Sequence, residues 1–200
     1  MKRTFKEAIE HRHSYYALSN QSPISDDEIM EIINTVILAS PSANNSQTTR
    51  IVLLLGDHHK KLWDIVRETL RKRTDGKQFI KTEEKINTSF YSGYGTILFF
   101  EDTSEVKKLQ EKFPSYKENY PNYSQHTNAI HQFCIWVMLE DAGLGASLQH
   151  YNPIIDLEVK ETWKLPKDWE LIAQMPFGLP LEDPKLKSKL PLEERVFKFS

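Results

Sequence analysis

The sequence predicts one domain that combines helices with buried strands, in the α/β or α+β class. Its 200 residues suit a single compact domain, and they contain no internal repeat and no linker. Two apolar runs, 51–55 and 96–100, are short enough to be buried strands. Segments with the periodicity of amphipathic helices alternate with these runs, which is the pattern of a mixed helix and sheet domain.

Two helices are predicted before the first strand. Residues 4–11 place apolar side chains on one helical face. Ser25 and Glu28 form a capping box, in which each side chain satisfies a free backbone N–H at the start of the next helix. Apolar residues then recur at helical spacing, and this second helix must end before Pro41.

The middle of the chain predicts two strands and one helix. Residues 50–56 read as a buried strand that ends at Gly56, and residues 60–73 as an amphipathic helix. The stretch 74–95 is polar and contains the pairs Asp-Gly and Ser-Gly, so it predicts a mobile connection. The second strand follows at 96–100.

A long helix, 124–141, is predicted in the second half of the chain, with Gly143 as its C-terminal cap. Its C-terminal half is apolar on every side, which predicts a place at the centre of the core or under a second subunit. Two further strands are predicted at 145–151 and 171–178, with a short helix around 157–163 between them. A basic, proline-containing tail ends the chain.

Charge and composition exclude several classes of partner. The formal net charge is −2, and no apolar run approaches the roughly 20 residues that span a bilayer. We therefore expect no nucleic-acid partner and no membrane partner. The single cysteine, Cys134, excludes an intrachain disulfide framework, and the N-terminus lacks the apolar core of a signal peptide. A cytoplasmic location is the prediction.

The short motifs in the sequence do not predict a catalytic or metal site. Gly143 and Gly145 follow a helix, whereas a dinucleotide fingerprint follows a strand, and no P-loop is present. The histidines have no carboxylate or thiolate partners at metal-ligand spacing. Cys134 lies in the most apolar helix, where thiols are usually inert. We predict no metal site and no catalytic side chain.

Three polar segments remain, at 12–14, 40–47 and 187–189. Taken singly, they contain a surface cation, turn residues and tail lysines. Taken together, they provide cations for a phosphate, and hydroxyl and amide groups for a sugar-like chain and the edge of a heterocycle. The residues therefore point to a phosphate-bearing ligand with many hydrogen-bonding groups.

The sequence resembles the nitroreductase family of flavin enzymes along nearly its whole length. The matching stretches are the Arg-x-Ser opening and the turn after it at 12–33, the Pro-Ser-x-x-Asn-x-Gln segment within 39–47, the helix end and strand at 138–151, and the basic tail at 187–196. The resemblance implies a single domain over residues 1–200. That domain is an α+β fold, with a central, mostly antiparallel sheet flanked by helices. It also implies a homodimer that binds FMN at the subunit interface.

The resemblance assigns ten residues to the FMN site and one alternative. The phosphate and ribityl end would contact Arg12, His13 and Ser14, and the ring edge would contact Ser42, Asn45 and Gln47 of the partner subunit. The ring would lie along Gln149 and His150. The phosphate would also contact the tail cations Lys187 and Lys189, with Arg195 as the alternative cation.

The implied reaction takes place on the cofactor. NADH or NADPH would donate hydride to FMN, and a nitroaromatic, a quinone or another flat electrophile would accept the electrons. Candidate pocket aromatics are Tyr15, Tyr16, Phe90, Tyr91 and Tyr94. Two alternatives stay open: a flavin-holding or regulatory dimer with little turnover, and an interaction protein without flavin.

The sequence departs from the family pattern at two places. Thr48 and Thr49 stand where the family has a pair such as Pro-Trp, and His150 and Tyr151 stand where it commonly has Glu-Gly. Both places border the expected substrate pocket, so the resemblance predicts FMN binding but does not predict the physiological acceptor.

Overall fold

The fold is known from a computed structural model that describes residues 3–200. Five strands form one sheet, and helices cover both of its faces. The strands are β1 Leu18–Ser19, β2 Thr49–Leu55, β3 Gly95–Asp102, β4 Gly145–Ala146 and β5 Trp169–Pro180. The α-helices of the described chain are α1 Phe5–His11, α2 Asp26–Ala39, α3 Gly56–Arg71, α4 Gly76–Ile86, α5 Thr103–Lys112, α6 Tyr120–Asp141 and α7 Asp156–Trp163.

The sheet has the order β1-β5-β3-β2, and β4 also pairs with β5. Every one of these strand pairs is antiparallel. β2 runs against β3 with Thr49 opposite Glu101 at one end and Leu55 opposite Gly95 at the other. The predicted α+β class with a central antiparallel sheet is therefore confirmed.

The hydrophobic core consists of two layers, one on each face of β3. Ile97 and Phe99 pack with α2 and α6, whereas Leu98 and Phe100 pack with α3, α4 and α7. Because successive side chains of a strand point to opposite faces, a strand that is covered on both faces is apolar throughout. This explains why 96–100 is a continuous apolar run.

α6 lies at the centre of the core, as its composition predicts. Ile135, Val137 and Leu139 are buried, but Phe133 on another face stays exposed. The helix begins at Tyr120, earlier than predicted, and ends where Leu144 N–H donates to the Leu139 carbonyl at 2.9 Å. Within residues 3–200, no helix has the length and apolar character that a membrane crossing needs.

The prediction of a mobile connection at 74–95 was wrong. This stretch forms α4 and then a π-helical turn, Asn87–Tyr91. The Asp75 side chain caps α4 by accepting from the N–H groups of Lys77 and Gln78. Phe79, Ile86 and Phe90 are buried, and the packing of so few apolar side chains outweighs the polar composition of the stretch.

Candidate functional site

The segment 12–14 follows α1 and is held against the end of α6 by one buried carboxylate. Glu140 is 4% exposed, and its Oε2 accepts from the backbone N–H of His13 at 2.7 Å. Its Oε1 lies 2.8 Å from Nδ1 of His11. Burial raises the pKa of Glu140, while the hydrogen bond from His13 opposes that rise. Ser14 then bridges to Ala146 of β4.

The Arg12 side chain lies over the ring of Trp136, with its guanidinium carbon 4.3 Å from the ring centroid. Two N–H donors at this contact, Arg12 Nε and Trp136 Nε1, are buried and have no acceptor among the described residues. A buried donor without a partner is uncommon, because losing its hydrogen bonds to water costs about 1–3 kcal/mol. Either donor would gain an acceptor if a ligand or a second subunit approached it.

A cavity of about 380 Å³ opens beside this segment. Its wall combines Ser14–Ala17, two hydroxyl residues of the π-helical turn, and the beginning of the tail at 182–185. Tyr15 and Tyr16 line this cavity. Phe90 is fully buried in the core, which corrects its prediction as a pocket aromatic.

The segment 40–47 connects α2 to β2 and has an unusual backbone. Asn44, Asn45 and Gln47 are left-handed, with φ of 54°, 54° and 48°. The turn is held by its own side chains, since Ser42 Oγ accepts from the Gln47 N–H at 3.2 Å. Asn44 Nδ2 also donates to the hydroxyl of Tyr120 at 2.6 Å. Strained conformations of this kind cost about 1–3 kcal/mol each and are concentrated at functional sites.

A second cavity of about 380 Å³ lies beside segment 40–47. Ser42, Gln47, Arg50 and His131 give it polar groups, and isoleucines of α2 and β2 form its apolar wall. Its lining combines hydrogen-bonding groups with apolar side chains, which suits a ring with a polar edge.

Within one chain, segments 12–14 and 40–47 lie at opposite ends of the sheet. Gln47 comes just before Thr49, which pairs with Glu101 at one end of β2 and β3. Ser14 is at the other end: it bridges Ala146, which pairs with Phe177, and Phe177 pairs with Gly95 at the start of β3. At about 3.3 Å per strand residue, the length of β2 separates the two ends by roughly 20 Å. One chain therefore presents two half-sites and does not join them.

Gln149 and His150 follow β4, near the middle of the sheet. The backbone of Gln149 pairs with Gln174 in both directions, at 2.7 and 2.9 Å, and its side chain donates to Ser147 Oγ. His150 is exposed. The loop that carries it is held again at Tyr151, whose N–H donates to Gln174 Oε1 at 2.7 Å.

The predicted tail cations Lys187, Lys189 and Arg195 are exposed in the segment after β5, and Arg195 directly follows the 3-10 turn Leu192–Glu194. Lys185 of the same basic run lies in the wall of the cavity beside Ser14.

Sequence reasoning missed Glu140 and Arg50, which hold the two segments. Glu140 is an acidic residue at the end of an apolar helix, and that contrast is the one signal that could have revealed it. Arg50 reads as the polar first residue of a strand, and only the fold shows that it donates to the Gln47 carbonyl at 2.8 Å.

Comparison with known proteins agrees with this architecture. The Nitroreductase family profile matches residues 9–179. HBN1 of Saccharomyces cerevisiae is 32% identical over 196 residues, which cover 97% of this chain and 97% of that protein. The nitroreductase FRM2 of the same yeast is 30% identical over 183 residues, or 90% of each protein.

Solved structures give the same result. The nitroreductase CinD from Lactococcus lactis in complex with chloramphenicol has a TM-score of 0.90 at 36% identity, covering 98% of this chain and 100% of that one. Its complex with 4-nitrophenol has a TM-score of 0.89 at 36% identity, with the same coverage of both chains. Fold and relatives together define the class as a flavin-dependent oxidoreductase. The chain belongs to the nitroreductase family.

Proposed function

We propose that this protein is a homodimeric, FMN-dependent oxidoreductase. It would use NADH or NADPH to reduce nitroaromatics, quinones or similar flat electrophiles. The observation that carries the proposal is the pair of buried donors without acceptors, Arg12 Nε and Trp136 Nε1, next to the segment that resembles the family's phosphate site. A guanidinium and an indole N–H are both donors that a phosphate oxygen can accept from.

The residues of the first half-site fit the phosphate and ribityl end of FMN. Arg12 supplies the charge and Ser14 a hydroxyl group at the cavity wall. Glu140 holds the backbone of His13, so the segment is rigid before any ligand arrives. Lys185 lies beside the same cavity, and Lys187 and Lys189 on the exposed tail remain available to the phosphate.

The second half-site supports a site shared between two subunits. Ser42, Asn45 and Gln47 are roughly 20 Å from Ser14 along the sheet, at about 3.3 Å per residue, and share no cavity with it in one chain. A two-fold symmetric dimer brings the 40–47 segment of one subunit to the 12–14 segment of the other. The exposed apolar side chains of α6 and of the tail are available for such an interface.

When bound, FMN supplies the hydride chemistry between the nicotinamide and the acceptor. The chain binds and orients it. The sheet pairing of Gln149 holds the loop 147–151 in place, and the exposed His150 lies where the resemblance places the ring. The apolar side chains of the second cavity would pack against the ring. No side chain is required as an acid or a base.

The acceptor class is supported by the relatives. Chloramphenicol and 4-nitrophenol, which are bound in structures of CinD, are both nitroaromatics. The nitroreductase-like structure from Exiguobacterium sibiricum is 12% identical to this chain and was solved in complex with FMN. A protein with this fold therefore binds FMN. The single cysteine supports the predicted cytoplasmic location.

The visible spectrum of the purified protein tests the cofactor. We expect flavin absorbance bands that bleach on anaerobic addition of NADH or NADPH and return with a nitroaromatic acceptor. Protein without flavin bands that takes up no FMN on titration would overturn the proposal. A yellow protein that oxidises no nicotinamide would replace it with a flavin-holding dimer.

A further inference from the structure

A cluster of buried polar side chains lies where β2 begins, beneath the polar segment 40–47. Glu101 of β3 is 1% exposed, and its Oε1 accepts from the Thr49 hydroxyl at 2.6 Å and from Asn128 Nδ2 of α6 at 2.8 Å. Gln132 donates to Asn128 Oδ1 at 2.7 Å and so extends the network along the helix. Three separate elements therefore meet at one carboxyl group.

This cluster occupies the place where the sequence departs from its family. Thr48 and Thr49 replace an apolar pair, and both are buried. The hydroxyl of Thr49 is bonded to Glu101. Two oxygens, Thr48 Oγ1 and Glu101 Oε2, are buried without a partner in hydrogen-bond geometry, although Thr48 is close enough to the carboxyl to oppose the rise in its pKa. The two threonines thus belong to the polar network of Glu101.

Asp102, the residue after Glu101, links β3 to Gln47 through Arg50. The Asp102 N–H donates to the Thr48 carbonyl at 2.9 Å, and the Asp102 carboxylate accepts from Arg50 at 3.1 Å. Arg50 in turn donates to the Gln47 carbonyl at 2.8 Å. Gln47 has a left-handed backbone and lies outside any helix or strand. These contacts therefore determine the position of its backbone, and so of its Cα atom.

We propose that Glu101 is a positioning residue for the flavin: through Thr48 and Thr49 it fixes the backbone at Gln47, and with it the amide that Gln47 presents to the ligand. The inference rests on the proposed function, because it takes Gln47 as a flavin contact. Glu101 is shielded from the cavity and touches no ligand. The hydrogen bonds of Glu101 replace the packing that an apolar pair at positions 48 and 49 would provide.

Three variants test the network. Thr49→Val keeps the shape and removes one hydroxyl, Glu101→Ala removes the carboxyl, and Glu101→Gln keeps groups that can accept from Thr49 and donate to Thr48. Thr96→Val is the matched control, because Thr96 is also buried and its hydroxyl accepts from Trp63 Nε1 at 3.0 Å, but it lies at the opposite end of β3 from Glu101.

The first measurement is amide hydrogen exchange of the apo protein in the peptide that covers 40–50. We expect faster exchange there in Thr49→Val and Glu101→Ala, and wild-type exchange in Glu101→Gln and in the control. The second measurement is FMN affinity. Loss of one hydrogen bond predicts a Kd about fivefold higher for Thr49→Val, and Glu101→Gln should restore the wild-type Kd.

Wild-type exchange at 40–50 in Thr49→Val would overturn the inference, and so would a Glu101→Gln protein that is as perturbed as Glu101→Ala. If Glu101→Ala does not fold, Thr49→Val and Glu101→Gln decide the question between them. Should the wild-type protein bind no FMN, the proposed function fails, whereas the exchange data still decide whether Glu101 positions segment 40–50.

Discussion

At the scale of single residues, Arg12 combines two roles that are usually separate. Its guanidinium lies on Trp136, which orients it, while Nε stays without an acceptor. Stacking restricts the rotamers of a long side chain, so less entropy is lost when a ligand binds. A site with its cation already oriented should lose most of its affinity when that cation is removed.

We predict that Arg12→Ala raises the Kd for FMN by about ten- to a hundredfold, because a charge-assisted hydrogen bond contributes about 1.5–3 kcal/mol. Arg71→Ala is the control, since Arg71 is a half-exposed cation paired with Glu68 and Glu83. Titration of apo protein with FMN, followed by flavin fluorescence, measures both. Equal dissociation constants for the two variants would contradict the assignment of the phosphate site to Arg12.

Glu101 gives a prediction about pH. Burial raises the pKa of this carboxyl in the folded protein above its ordinary value of 4.5. The unfolded chain therefore releases this proton at lower pH than the folded protein does. The contribution of Glu101 to the free energy of unfolding is greatest below that ordinary value and is lost as the pH rises through the folded pKa.

Glu101→Gln should remove this loss, because glutamine does not ionise. We expect the Tm of the variant, relative to wild type, to increase between about pH 4 and about pH 8. Thermal unfolding followed by circular dichroism at several pH values measures the Tm of the variant minus that of wild type. The pH effects of the other carboxyl groups are common to both proteins and cancel in this difference. A difference in Tm that stays constant with pH would mean that the pKa of Glu101 is the same in the folded and the unfolded protein.

At the scale of elements, β4 depends on a close approach that only glycine permits. A Cβ on Gly145 would lie 2.8 Å from Tyr15 Cγ and 2.8 Å from Pro180 Cγ. The segment that carries Ser14 packs on β4 at this point. Any larger residue would have to push that segment away from the sheet.

We predict that Gly145→Ala lowers the free energy of unfolding by about 1–3 kcal/mol, the usual cost of overpacking. Gly76→Ala is the matched control, because Gly76 is in the first turn of α4 and a Cβ there meets nothing within 4 Å. Urea unfolding measures both proteins. A Gly145→Ala protein as stable as the Gly76→Ala protein would contradict the close contact.

Elements that are specified locally were predictable from the sequence. The capping box of Ser25 and Glu28 is present, with Glu28 accepting from the Ser25 N–H at 2.8 Å. The structure of α4 was missed because its helix is stabilised by two buried side chains and one cap, within a polar stretch. Local composition shows neither the contact with α3 nor the burial of Phe79.

The site shows the same division. Segments 12–14 and 40–47 were identifiable because polar groups stand between apolar runs. Glu101 and Glu140 were not, since a single acid at the end of a strand or a helix reads as a solvated terminus. Both are buried only because distant segments, those of Thr49 and His13, fold against them.

At the scale of the whole molecule, two half-sites at opposite ends of one sheet predict complementation between subunits. Arg12→Ala and Gln47→Ala each damage a different half. In a mixed dimer, one site carries both substitutions and the other carries none.

Mixing the two variants after unfolding and refolding should therefore restore tight FMN binding at about a quarter of the sites, as expected for random pairing in a two-fold dimer. Each variant refolded alone is the control. The measurement is the stoichiometry of bound FMN in the refolded mixture. No recovery would indicate that both halves of a site come from the same chain.

One helix supports both halves. α6 carries Asn128 beneath segment 40–47 and Glu140 beneath segment 12–14, about 18 Å apart at about 1.5 Å per residue. Inserting or deleting one residue between them would turn one end by about 100° relative to the other and move Asn128 or Glu140 out of reach of its partner. The length of α6 between these two side chains therefore fixes the distance between the supports of the two segments.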